Sequence, residues 1–368
     1  MLRVHLEHGR YPSTVRRWFP VEEPDPFFEE TVLTAIYGGC WTSTVIEEGG
    51  HALRHAFAAC AIGNTGLFDI EPLEGYAGPL ITREAPADFL IEALRRYSTF
   101  CREHGIVGEL MRFNPILRNH LVLEGLSTDL VLLASKPVVY LPVHADDSTR
   151  MSAYPRATRN MVRAGHRHSS LSTLEKTPDV WAQFRLLFDR SLEATGTPPQ
   201  WQLSPDLSER LRRDPDFVLV GAVQEERVVS AAIALLHPST SYYFRAAGVR
   251  DADTRRGASN AVVHEIARAA AAAGAARVGL GGGRTASLTD SLFRFKRSVG
   301  RHVLPFSIGL FTHDRAALAA LVRTAEQGDA SIRASALFLR YRLAPAFVDG
   351  RMRPVPVRPL AARGGSLA

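Results

Sequence analysis

Cysteine is scarce in this chain. Its 368 residues include three, Cys40, Cys60 and Cys101, with no pair at CxxC spacing. A disulfide framework and a cysteine-held zinc site are excluded on that count, and buried inert thiols are the expectation. Long apolar runs are missing too. None reaches the roughly 20 residues that a bilayer span requires. The opening stretch MLRVHLEHGRYPSTVRRWFP lacks the apolar core of a signal peptide. The expectation is a cytoplasmic protein with no membrane span. No heptad segment and no internal repeat is visible, which excludes a coiled-coil arm and a solenoid. Acid is absent from Ser148 to Leu174, the most basic part of the chain.

What is present is the composition of an ordinary globular protein, 46% hydrophobic and 22% charged, at a length that suits two domains. The net charge of +6 comes almost wholly from arginine. The planar guanidinium binds oxyanions bidentately, so the excess favours phosphate-bearing partners such as a cofactor, a nucleotide-sugar or RNA.

Periodicity divides the chain into two blocks. In the first, TVLTAIYGG and HALRHAFAACAIG read as short strands, and EGYAGPLIT as a turn into a strand. APADFLIEALRRYSTFCREHG reads as a helix, stopped by Gly105. IVGELMRF, RNHLVLEG and DLVLLAS with PVVYLPV read as further strands. In the second, YPRATRNMVRAGHRH and TPDVWAQFRLLFDRSLEATG read as helices, and residues 214–248 as a three-strand meander. SNAVVHEIARAAAAAG reads as a helix capped by Ser259 and ended by Gly274. ARVGLGGG reads as a strand, RHVLPFSIGLFTH as another, and DRAALAALVRTAEQG and SIRASALFLRYRLA as two closing helices. The predicted fold class is α/β (α+β), with domains at 1–148 and 149–348. A basic tail at 349–368, with four arginines and no acid after Asp349, is expected to be poorly ordered.

Three places carry chemistry. A helix over Tyr154–Arg167 would set Arg156, Arg159 and Arg163 on one face, a stripe suited to a polyphosphate or an RNA backbone. His166 and His168 flank Arg167, but no Asp, Glu or Cys accompanies them in sequence, so no metal is expected. Arg255, Arg256 and Gly257 precede the SNAVVHEI helix, whose free N–H groups would suit an anion. In GLGGGRTASLTDSLFRFKRSVG, Gly282 and Gly283 would let a ligand or a backbone approach closely. Asp290 or Thr289 would cap a short helical turn ended by Gly300. Leu292, Phe293 and Val299 would anchor that turn, leaving Arg294, Lys296 and Arg297 towards solvent or a cleft. A lysine held there could stabilise a developing oxyanion.

This last stretch resembles the GGG…D…lf.FKr.fG segment of the FemAB-like branch of the GNAT acyltransferase superfamily. EGYAGPL (Glu74–Leu80), GELMRFNPILRN (Gly108–Asn119), YPRATRNMVRAGHR (Tyr154–Arg167) and GASNAVVHEIARAAAAAG resemble further segments of that family, in family order. The resemblance implies two tandem GNAT-like domains, each a mixed twisted sheet flanked by helices. It implies an N-acyltransferase that moves an aminoacyl group from aminoacyl-tRNA to an amine, such as a small acceptor or a cell-wall precursor. An acyl-CoA-dependent transferase of an envelope sugar or small molecule, or a non-catalytic tRNA-binding module, is the alternative. No bound cofactor is expected, with aminoacyl-tRNA as co-substrate and acyl-CoA as its alternative. The family lysine falls on Lys296 and the aromatic before it on Phe295, which would stack on the terminal adenosine. Arg245 stands where the family has small or polar residues, and joins the residues expected to bind substrate. The acetyl-CoA signature Q/R-x-x-G-x-G/A is incomplete around Gly257, with Thr254 and Ser259 in its outer positions.

Overall fold

The computed structural model describes residues 2–19, 24–70, 74–197, 202–249, 256–335, 337–347 and 354–355. Among them the chain forms two compact units. One comprises Met1–Glu23, Phe27–Ala134 and Ser307–Ala368, the other Pro24–Pro26 and Ser135–Phe306. Both are mixed α/β, with sheets flanked by helices.

The first unit opens with β1 (Arg3–His8), α1 (Val15–Trp18), α2 (Glu30–Tyr37), β2 (Thr42–Glu48) and β3 (His51–Phe57). It continues through β4 (Ala59–Ala61), β5 (Phe68–Ile70), β6 (Leu80–Ile81), α3 (Ala87–Glu103), β7 (Ile106–Arg112) and β8 (Leu130–Ala134). Strands β1, β2, β3 and β6 make an antiparallel sheet in that order. The helix read over Ala87–Glu103 is present, and Gly105 stops it at φ +71°. TVLTAIYGG, expected as a strand, is instead α2. Its buried Val32, Leu33, Ala35 and Ile36 recur at helical spacing, and Gly38 ends it at φ +64°. RNHLVLEG, also expected as a strand, contains a 3-10 turn at Leu121–Leu123. The family-like stretches Glu74–Leu80 and Gly108–Asn119 meet here. The Asn119 amide donates to the Ala77 and Pro79 carbonyls, and a Cβ on Gly78 would lie 2.6 Å from the Phe113 ring.

The second unit begins with β9 (Val138–Pro142), α4 (Asp147–Ala153), α5 (Arg156–His168), β10 (Ser170–Leu174), α6 (Pro178–Glu193) and α7 (Pro205–Arg213). The meander follows as β11 (Phe217–Gln224), β12 (Arg227–Leu235) and β13 (Ser241–Gly248). Then come α8 (Ala258–Ala272), β14 (Arg277–Gly281), α9 (Ser291–Val299) and β15 (His302–Leu304). One seven-stranded sheet runs β10-β11-β12-β13-β14-β9-β15. Helix α8 joins β13 to the parallel strand β14 and buries Val262, Val263, Ile266 and Ala270 on the sheet. Its cap is Gly257, not Ser259.

RHVLPFSIGLFTH is not one strand. Pro305 has no N–H to give a ladder, and the chain breaks there into β15 and β16 (Ser307–Thr312). Strand β15 pairs with β9 in the second unit, whereas β16 inserts between β7 and β8 of the first. The first unit's larger sheet therefore runs β17-β4-β5-β7-β16-β8, β17 being Pro354–Val355. The boundaries expected at 148/149 and 348/349 do not coincide with this division, which crosses at 134/135 and returns at 306/307. Helix α10 (Arg315–Gly328) forms as read, capped by Asp314. SIRASALFLRYRLA is not a continuous helix. It forms 3-10 turns at Ala330–Ala334 and Arg340–Leu343. The expected tail at 349–368 lies, apart from Pro354–Val355, outside the described residues.

Candidate functional site

Strands β13 and β14 pair only at Ser241–Val278 and Tyr242–Gly279. Beyond those positions the two strands no longer share a ladder, while β14 keeps β9 on its other edge. Gly279 marks the last joined level, since a Cβ there would lie 2.4 Å from the Tyr242 ring. On the parted side, β13 carries Arg245, and β14 ends in the Gly281–Gly283 turn, with Gly281 at φ +72°.

Helix α9 follows that turn. The Asp290 carboxylate caps it, accepting from the Phe293 N–H at 3.0 Å and from Thr285. Gly283 has no room for a side chain, because a Cβ would sit 2.6 Å from Asp290 Oδ1. Phe293 and Val299 are buried, as read, and Gly300 ends the helix with its N–H on the Lys296 carbonyl. Lys296 lies three residues after Phe293 and so shares its inward face. Arg294 and Arg297 are exposed, whereas Lys296 turns in and its Nζ donates to the Gly282 carbonyl at 2.8 Å. Lys136, just before β9, donates its Nζ to the adjacent Gly283 carbonyl at 2.7 Å.

Burial lowers the Lys296 pKa to about 7, helped by the like charges of Lys136, Arg284 and Arg245 and opposed by Asp290. Near neutral pH this amine therefore gives and takes a proton readily. The chain has only three lysines among its 44 Lys and Arg residues, Lys136, Lys176 and Lys296, and two of them meet at one glycine turn. An arginine there would stay charged and could not exchange a proton near neutral pH. Lys176 is a structural cap, its Nζ donating to the Leu211, Asp214 and Phe217 carbonyls.

The fold thus brings together Lys296, Gly282, Gly283 and Arg245 from the sequence reading, and adds Lys136, Arg284 and Asp290. The sequence gives Asp290 only a cap's role. Lys136 had one signal, its rarity as a lysine. Phe295, expected as a stacking platform, is half-buried and leans on the unit's core. Arg156, Arg163, Arg256 and Arg294 are exposed and make none of the contacts just described. The helical stripe of Arg156, Arg159 and Arg163 is present on α5, but Arg159 is occupied, with its Nη1 on the Tyr154 carbonyl at 2.6 Å. Gly257 is not an open phosphate cradle. A Cβ there would lie 2.0 Å from the Met161 carbonyl oxygen, so the residue is glycine because α5 presses on it. Arg255 lies outside the described residues.

Residues 148–297 match the acetyltransferase (GNAT) domain family. This GNAT match covers α5, the meander, α8, β14 and most of α9, and so includes Lys296 and the glycine turn. No curated protein matches the chain. Among solved structures the chain is similar to FemX, with 13% identity, a TM-score of 0.51, and 72% of this chain and 87% of that one covered. It is also similar to a conserved protein of unknown function from Bacteroides thetaiotaomicron VPI-5482, with 10% identity, a TM-score of 0.50 and coverage of 77% and 90%. A tandem GNAT protein from the clavulanic acid biosynthesis pathway aligns at 13% identity and a TM-score of 0.49, covering 84% and 98%. At these identities the likeness is one of fold.

Proposed function

We propose that the protein is an N-acyltransferase that moves an aminoacyl group from an aminoacyl-tRNA ester to an amine. One observation carries the reading: Lys296, with a pKa of about 7, held beside Lys136 on the Gly281–Gly283 turn at the parting of β13 and β14. The acceptor nitrogen lone pair forms the new C–N bond, and the carbonyl π pair moves onto oxygen. Collapse expels the ribose hydroxyl, and the proton lost by nitrogen balances the one that the leaving oxygen gains. Lys296 in its ammonium form meets the oxyanion and passes a proton to the leaving oxygen, a task suited to a pKa near the working pH. Its hydrogen bond to Gly282 and the neighbouring Lys136 keep the amine aimed before substrate arrives. Arg156 and Arg163 on α5 supply exposed charge for tRNA phosphates, and the open part of the Phe295 ring a surface for the terminal adenosine.

An ester donor is favoured over acyl-CoA by the role of Gly257. It is the central glycine left of the acetyl-CoA signature, and helix packing already accounts for it. The test is product formation from charged tRNA and from acyl-CoA across a panel of amines. Product from charged tRNA is expected. Lys296→Ala should keep the fold and lower turnover about 100-fold. The wild-type rate should fall as pH rises through about 7, and Lys296→Gln should lose that limb. Wild-type turnover in Lys296→Ala overturns the role of the lysine, and product from acyl-CoA alone overturns the donor.

A further inference from the structure

Helices α5 and α8 cross closely. A Cβ on Gly165 would lie 2.6 Å from the Ala261 Cβ. The next residue of α5, His166, faces His264 and Glu265, one turn beyond Ala261 on α8. One ligand atom from each of the three lies within 4.8 Å of the other two. The rings of His166 and His264 are 6.0 Å apart and nearly perpendicular. His166 Nε2 is 3.7 Å from Glu265 Oε1, and the other Glu265 oxygen accepts from Arg268 Nε at 2.7 Å. His264 and Glu265 are buried, while His166 keeps its side chain 42% exposed.

His264 is prepared on its far side. Its Nε2 meets Asp147 Oδ1 at 2.9 Å, and Arg150 holds the same oxygen at 3.1 Å. A metal-ligating histidine ordinarily gives its second ring N–H to a carboxylate, which fixes the tautomer and leaves the other nitrogen's lone pair free. The remaining atom, Nδ1, lies 3.3 Å from the Tyr154 hydroxyl.

We propose that His166, His264 and Glu265 form a binding site for a zinc-class divalent ion, with Asp147 as the positioning residue. Two imidazoles and one carboxylate with a fourth position open is a donor set that zinc accepts. Zinc bonds of about 2.1 Å arranged tetrahedrally put ligand atoms about 3.4 Å apart, close to the His166–Glu265 separation. His166, exposed on its helix, supplies the rotation that closes the rest. The ion would tie α5 to α8. Since Thr158 on α5 also donates to the Ser298 carbonyl of α9 at 2.7 Å, it would steady the helix that carries Lys296. The inference does not rest on the proposed reaction.

The test is calorimetric titration of the untagged full chain with Zn2+, with Co2+ absorption as a second readout. One equivalent of Zn2+ is expected to bind, with a rise in melting temperature and the intense visible bands of tetrahedral Co2+. His166→Ala and Glu265→Gln should each weaken binding at least about 10-fold, and Asp147→Asn about 10- to 100-fold. His168→Ala should bind as the wild type. His166 is exposed, so its variant remains informative if Glu265→Gln does not fold. No saturable binding at micromolar Zn2+, or unchanged binding by His166→Ala, overturns the site.

Discussion

Lys296 faces opposite demands in the folded and the unfolded chain. Unfolded, it keeps its proton to about 10.5; folded, it loses it near 7. Between those values the unfolded chain binds the extra proton, so raising the pH favours the fold. Stability should rise with pH across that window, and Lys296→Met should flatten the rise. Melting temperature measured from pH 7 to 10 in both proteins checks this, and parallel curves would count against a buried amine. The sequence reading sets this lysine with Arg294 and Arg297 towards solvent or a cleft; in the fold it parts from them and turns in on the face of Phe293, three residues earlier. The company it keeps was not legible. Lys136 arrives from just before β9, 160 residues earlier in number, through the β9–β14 ladder, and nothing local in ASKPVVYLP announces it. Glu265 was hidden from His166 in the same way. Acids absent from α5 in sequence are supplied by α8 in space.

At the scale of the element, the crossing of α5 and α8 depends on two residues without side chains. Gly257 combines φ +79° with a backbone oxygen 2.0 Å from where a Cβ would go. Gly257→Ala should therefore destabilise the second unit by at least about 2 kcal/mol, through both backbone strain and steric displacement of α5. Urea unfolding of the variant checks this, and a loss below about 0.5 kcal/mol would mean that the helices slide apart easily. Elements of three or more turns with one apolar stripe were readable, as α3, α6, α8 and α10 show. TVLTAIYGG was not, because eight residues with apolar pairs satisfy either period. SIRASALFLRYRLA carries a helical pattern that yields to tertiary packing. Ile332, Leu339 and Tyr341 are buried in a cluster with Ile62, Val107 and Leu321, and the chain bends to deliver them.

At the scale of the whole molecule, two mixed α/β units were legible from the order of elements, but their extents were not. A single proline decides that β15 and β16 serve different sheets. Residues 135–306 should fold as an isolated fragment with cooperative thermal unfolding. Residues 1–148 should not, because β7 and β8 would each be left without the strand that lies between them. Circular dichroism melts of the two fragments check this, and a cooperative transition in 1–148 would show that β16 is dispensable. Strand β16 also bears on synthesis. The ribosome makes β7 and β8 early, yet their shared neighbour emerges only after all of 135–306 has followed. At the usual 5–20 residues per second that interval is roughly 10 to 35 s. The half translated first is thus the half completed last, and throughout that delay two strand edges of a nascent sheet stand open to chaperones or to neighbouring chains.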